Sequence, residues 1–110
     1  MNVGRFDKAA ARPAHHNTML AMDLLPPGVK APFSHAWGYL GPHSAMEGHT
    51  HPTQEIYFFH QGQGVVVVGD EQRPVSPGDV VDIPPDAYHT VRNDSDGELL
   101  WFALWWPPVA

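Results

Sequence analysis

Apolar residues along this chain fall in short runs, each cut off by proline or glycine. Asn17–Leu24 reads as a first strand and stops at Pro26-Pro27-Gly28. Phe33–Leu40 alternates aromatic with small residues until Gly41-Pro42. Gln54–His60 holds Ile56, Tyr57, Phe58 and Phe59, all residues that favour sheet. Val65–Val68 is an unbroken β-branched run, which predicts burial on both faces. Gly69-Asp70 turns the chain, so Gln72–Val75 should return as its hairpin partner. Asp79–Ile83, Tyr88–Asn93 and Glu98–Trp106 complete the series. Proline interrupts helix interiors and central sheet ladders, so elements this short and this often punctuated are strands. About eight or nine short antiparallel strands at roughly 8–12-residue spacing predict an all-β sandwich or small β-barrel. One domain over residues 1–110 is expected, with the barrel at 17–106 and residues 1–15 as an N-terminal arm or short helix around Phe6–Ala11.

The last strand is apolar on both faces: Trp101, Ala103 and Trp105 share one, Phe102, Leu104 and Trp106 the other. One face should meet the interior. The other needs a cover, either a second copy of the chain, making a homodimer, or the N-terminal segment. Composition then narrows the function. A formal charge of −6 disfavours a nucleic-acid partner held through phosphates. No apolar run is long enough to span a bilayer, and the N-terminus lacks the apolar core of a secretory signal, so a cytoplasmic location is expected. There is no cysteine, which excludes disulfides and thiolate metal sites. The eight histidines outnumber the six Lys and Arg together, and they are the composition's oddity.

Their spacing matters more than their number. His49, His51 and Glu55 are separated by even steps, so on extended backbone they face one side. Two imidazoles and a carboxylate converging on one point suit a metal ion. A second signal lies downstream, where Gly78, Pro84, His89 and Asn93 mark a strand, a proline turn and a further strand. Together these residues resemble the two motifs of a small cupin. His49, His51, Glu55 and Gly62 fit the first motif, and Gly78, Pro84, His89 and Asn93 fit the second. The intervening Gln63–Pro77 resembles the short gap of the smallest members. Two motif glycines are replaced, one by His43 and one by Asp86, and Asp is among the few residues that tolerate left-handed backbone.

The resemblance implies a jelly-roll barrel in which His49, His51, Glu55 and His89 ligate a divalent transition metal: Fe, Mn, Ni, Co, Cu or Zn. Parity with those ligands extends the site. Tyr57 and Phe59 should face inward with Glu55, and Val91 and Asn93 with His89. His35, Trp37 and Tyr39 share one face of their strand and are expected to line the pocket, together with Trp101. Tyr57 and His35 are the expected proton-moving groups. His60, an odd step from Glu55, should point away, and His15 and His16 read as surface residues. The resemblance implies a metalloenzyme acting on a small organic molecule, of dioxygenase, isomerase, epimerase or lyase type. The alternative is a non-catalytic module that binds or senses a small ligand.

Overall fold

The computed structural model describes residues 1–108. Ten strands form two antiparallel sheets: β1 (Arg12–Ala14), β2 (Met19–Met22), β3 (Ser34–Leu40), β4 (Ser44–Ala45), β5 (Gln54–Gln61), β6 (Gly64–Val68), β7 (Glu71–Val75), β8 (Val80–Ile83), β9 (His89–Asn93) and β10 (Leu99–Trp106). One sheet has the order β1-β2-β3-β10-β5-β8, and the other β4-β9-β6-β7. The expected all-β architecture is therefore present. The helix anticipated near Phe6–Ala11 is only a 3-10 turn at Lys8–Ala10, capped by the Asp7 carboxylate, which accepts from the Ala9 N–H at 3.0 Å. Residues 12–14, expected in an arm, are instead the edge strand of the larger sheet.

β10 is central because it is apolar on both faces and can be flanked on both edges. Its pairing with β3 and β5 puts Trp101 beside Gly38 and Phe59, and Ala103 beside Ala36 and Tyr57. Trp101, Phe59, Leu40, Ile83, Leu99 and Val91 are fully buried between the sheets. Gly38 makes this possible: a Cβ there would sit 2.4 Å from the Trp101 indole. Gly62 is equally constrained, with φ +89 and only 2.1 Å between a built Cβ and the Glu98 carbonyl. On the outer face, Phe102 stacks on Phe58 at 4.8 Å and meets Trp37 edge-on at 5.7 Å. Phe6 from the N-terminal segment covers one end of this face, stacked on Tyr39 at 5.7 Å and edge-on to Trp37 at 6.1 Å.

The valine run departs from expectation. Val66 alone is buried, while Val65, Val67 and Val68 are half-exposed. β6 lies between β7 and β9 in the smaller sheet, and only one side of that sheet faces the core.

Asn93 faces inward as parity predicts, yet it serves the scaffold rather than a pocket. Its buried amide donates to the carbonyls of Leu40, Gly41 and Gly97 at 3.2, 2.9 and 2.9 Å. Its Oδ1 accepts from the Ser95 N–H at 3.0 Å and hydroxyl at 2.7 Å. Asn93→Ala removes the amide that joins three carbonyls, including that of buried Leu40, and is expected to cost on the order of 2–4 kcal/mol. In thermal denaturation that is a fall in Tm of roughly 10 °C or more. A fall of under about 3 °C would show that water replaces the amide at no cost.

Candidate metal centre

Four side chains from three segments meet at one end of the space between the sheets. Glu55 and Tyr57 alternate inward along β5, and His89 opens β9. His49 and His51 lie on the extended stretch before β5. His49 is locked to His89 by reciprocal backbone hydrogen bonds, His49 N to His89 O at 3.2 Å and His89 N to His49 O at 3.0 Å. The Asp86 N–H donates to the His51 carbonyl at 2.8 Å. Both residues that replace the motif glycines adopt the left-handed backbone a glycine would take: His43 has φ 53 and Asp86 φ 66.

The ligand-type atoms of His49, His51 and His89 all lie within 4.8 Å of one another. Each ring is aimed by its Nδ1, which lies against a backbone carbonyl two residues away. The acceptors are Glu47 O at 3.2 Å, Thr53 O at 3.1 Å and Ala87 O at 3.0 Å respectively. A carbonyl only accepts, so the Nδ1 atoms of His49 and His89 carry the proton and their Nε2 atoms present lone pairs, whereas His51 Nδ1 also has the Thr53 hydroxyl at 2.8 Å, which can donate to it. Glu55 Oε1 sits 2.8 Å from His51 Nε2 and 3.3 Å from His89 Nε2. His89 Nε2 is buried and makes no hydrogen bond. Lone pairs facing a carboxylate oxygen at these distances repel unless a cation, a proton or a metal ion, lies among them. The donor set therefore fits a divalent transition metal. Burial holds the His49 imidazole below the usual histidine range, which keeps it in the neutral form a metal requires.

The cluster opens into a cavity of about 640 Å³, walled by Trp101, Trp105, Ala103, Tyr57, Met19 and Met46 among others. Tyr57 is 6.0 Å, ring to ring, from His89. Burial, with the Glu55 charge adding to it, pushes its phenol well above the ordinary value of 10. It is therefore a hydrogen-bond donor and not a base at neutral pH.

Of the other expected pocket residues, only Trp101 lines the cavity with its ring. Phe59 and Val91 face inward but are packed into the core away from the cavity wall. The β3 expectation is out of phase. His35 and Trp37 border the cavity, but the register with β10 turns their rings, and that of Tyr39, to the outer face. His35 Nδ1 accepts from the Leu24 and Leu25 N–H groups at 3.1 and 3.3 Å, so it fixes a loop. The Tyr39 hydroxyl donates to Glu98 at 2.5 Å. The cause is Trp101, which needs Gly38 on the inner face and so sends the large β3 residues outward. Conversely, His15 was expected at the surface and lies at the site, stacked on His49 with ring centroids 4.1 Å apart. His60 does point away, edge-on to Trp37.

Comparison with known proteins agrees with this geometry. The family model described as "Cupin domain" (Cupin_2) matches residues 37–106. A Cupin 2 conserved barrel domain protein from Salinispora arenicola has a solved structure with a TM-score of 0.84 and 34% identity, covering 96% of this chain and 88% of that one. An uncharacterized protein of Methanocaldococcus jannaschii is 28% identical over 76% of this chain and 66% of its own length. A gentisate 1,2-dioxygenase of Haloferax is 36% identical over 56% of this chain, but the match spans only 16% of that enzyme. With the family model matching well over half of the chain, this protein belongs to the Cupin_2 family of cupin domains.

Proposed function

We propose that this cupin is a metal-dependent enzyme acting on a small, flat organic molecule that reaches the histidine cluster through an oxygen donor. The observation that carries the reading is the buried His89 Nε2, which makes no hydrogen bond and lies 3.3 Å from Glu55 Oε1 in a cluster whose three histidines bring their ligand atoms within 4.8 Å of one another. His49, His51, Glu55 and His89 would hold the metal. A bound divalent ion with four protein ligands would leave positions for a substrate oxygen and supply Lewis-acid or redox chemistry.

The chain's own residues define the rest. Trp101, Trp105 and Met19 give an apolar slot that favours a ring or other flat portion. The Tyr57 hydroxyl has no hydrogen-bond partner among the described residues, and Tyr57 lines the cavity. It would donate to a substrate oxygen and hold it in place.

Reconstitution with Fe, Mn, Ni or Zn, followed by elemental analysis, should give stoichiometric metal for at least one of them. His51→Ala and His89→Ala should weaken its binding about 100-fold or more. A wild-type protein that retains none of the four would sink the metalloenzyme reading. Oxygen uptake by the iron-loaded protein, assayed against small aromatic diols and hydroxy acids, tests the reaction class. Metal binding without turnover of any of them would favour a binding module.

Tyr57→Phe should leave the metal content intact and lower turnover about 100-fold. A loss smaller than about threefold would remove Tyr57 from the chemistry.

A further inference from the structure

The turn between β1 and β2 is unusual. His15, His16 and Asn17 have φ of 49, 57 and 65, so three successive non-glycine residues are left-handed. The Thr18 N–H closes the turn onto the Ala14 carbonyl at 3.2 Å. Nothing in the local sequence demands this conformation, so contacts made by the turn must hold it. Those contacts all lead to one place. The Thr18 hydroxyl donates to the His15 carbonyl at 2.7 Å and accepts from the Glu47 N–H at 2.8 Å. His16 Nδ1 lies 2.8 Å from both Glu47 carboxylate oxygens. Glu47 in turn offers its carbonyl to His49 Nδ1. The same turn lays the His15 ring on the His49 ring at 4.1 Å and 22°.

His49 is thus held from two sides by one turn, through its Nδ1 acceptor and through its ring face. It needs this more than the other two histidines of the cluster. His89 is fully buried, and His51 is wedged by Thr53, whose hydroxyl lies 2.8 Å from His51 Nδ1. The clamp lies outside residues 37–106, the part matched by the family model.

We propose that His15 is a positioning residue for His49, and that the left-handed turn of residues 15–17 is the clamp that delivers it. His15 is outside the set of mutually close nitrogen atoms, so it orients a ligand without being one. The inference rests on the reading of the cluster as a metal site, but its main test does not.

That test uses the metal-free full-length chain and long-range nitrogen–proton NMR of the histidine rings. Wild type should show His49 in a single Nδ1–H tautomer. In His15→Ala the His49 signals should shift toward averaged tautomers, with His51 and His89 unchanged, and His15→Phe, which keeps a stacking ring, should restore them. His49 signals in His15→Ala that superimpose on wild type overturn the proposal. Equal disturbance of all three histidines also overturns it, since that marks a general structural role. With cobalt(II) alone as probe, His15→Ala should bind about tenfold more weakly than wild type and His15→Phe within about twofold. Equal affinity of wild type and His15→Ala counts against the clamp. If wild type takes up no cobalt, the metal reading fails, and the NMR result still decides the role of His15.

Discussion

The reciprocal backbone hydrogen bonds between His49 and His89 join two stretches of chain 40 residues apart, and the site depends on that junction. β9 also pairs with β6, with Val68 opposite His89, so His89 is held from both edges. A slip of one residue in either pairing would turn His89 out of the interior and replace it with Tyr88 or Thr90. Glu55 comes from β5 in the facing sheet, so the cluster also fixes the spacing between the sheets. On the apolar side, Trp101, Tyr57 and Phe59 of the larger sheet share one buried core with Val66, Val75 and Val91 of the smaller, and that core fills the space between them.

The surroundings of the cluster make its charge consequential. Glu55 is buried, and the wall of the cavity beyond it combines indoles and thioethers with a few polar groups such as Arg12 and Asp23. A carboxylate in such a place is costly unless a cation or a donor accompanies it. His49 and His89 are spent as donors at Nδ1, on backbone carbonyls, which leaves the buried His89 Nε2 lone pair toward Glu55. The same environment suppresses ionisation of Tyr57. Structure and chemistry therefore share one cause: burial of Glu55, Tyr57 and His89, which makes each polar contact strong and each unmatched one expensive.

Much of this was legible from alternation. Glu55, Tyr57 and Phe59 face inward along β5, as do His89, Val91 and Asn93 along β9, because both strands keep period two through those residues. The replaced glycine at Asp86 was legible too, since Asp tolerates positive φ. The phase of β3 was not. Ser34–Leu40 holds large aromatic residues on one face and small ones on the other, and size suggested that the large ones face the pocket. The indole of Trp101, on the neighbouring strand, reverses that choice, and it acts across strands, where local pattern carries no information. The valine run misled for a related reason: its apolar outer side marks β propensity rather than burial.

His15 was illegible on different grounds. His and Asn tolerate positive φ, but nothing local requires three in succession to adopt it, so the turn is not announced by its own residues. The turn exists only through Glu47, Thr18 and the His49 ring, contacts of 29 or more residues' separation in the case of Glu47. The consequence reaches the rest of the hairpin. Arg12, Ala14, Met19, Ala21 and Asp23 also line the cavity, and like His15 they precede the family-matched residues. The family segment supplies the donors that meet at the cluster, while the hairpin supplies a large part of the wall a ligand would touch. A division of this kind lets the wall vary in sequence while the donor geometry stays fixed, provided that His15 keeps its stack on His49 and that His16 and Thr18 keep their bonds to Glu47.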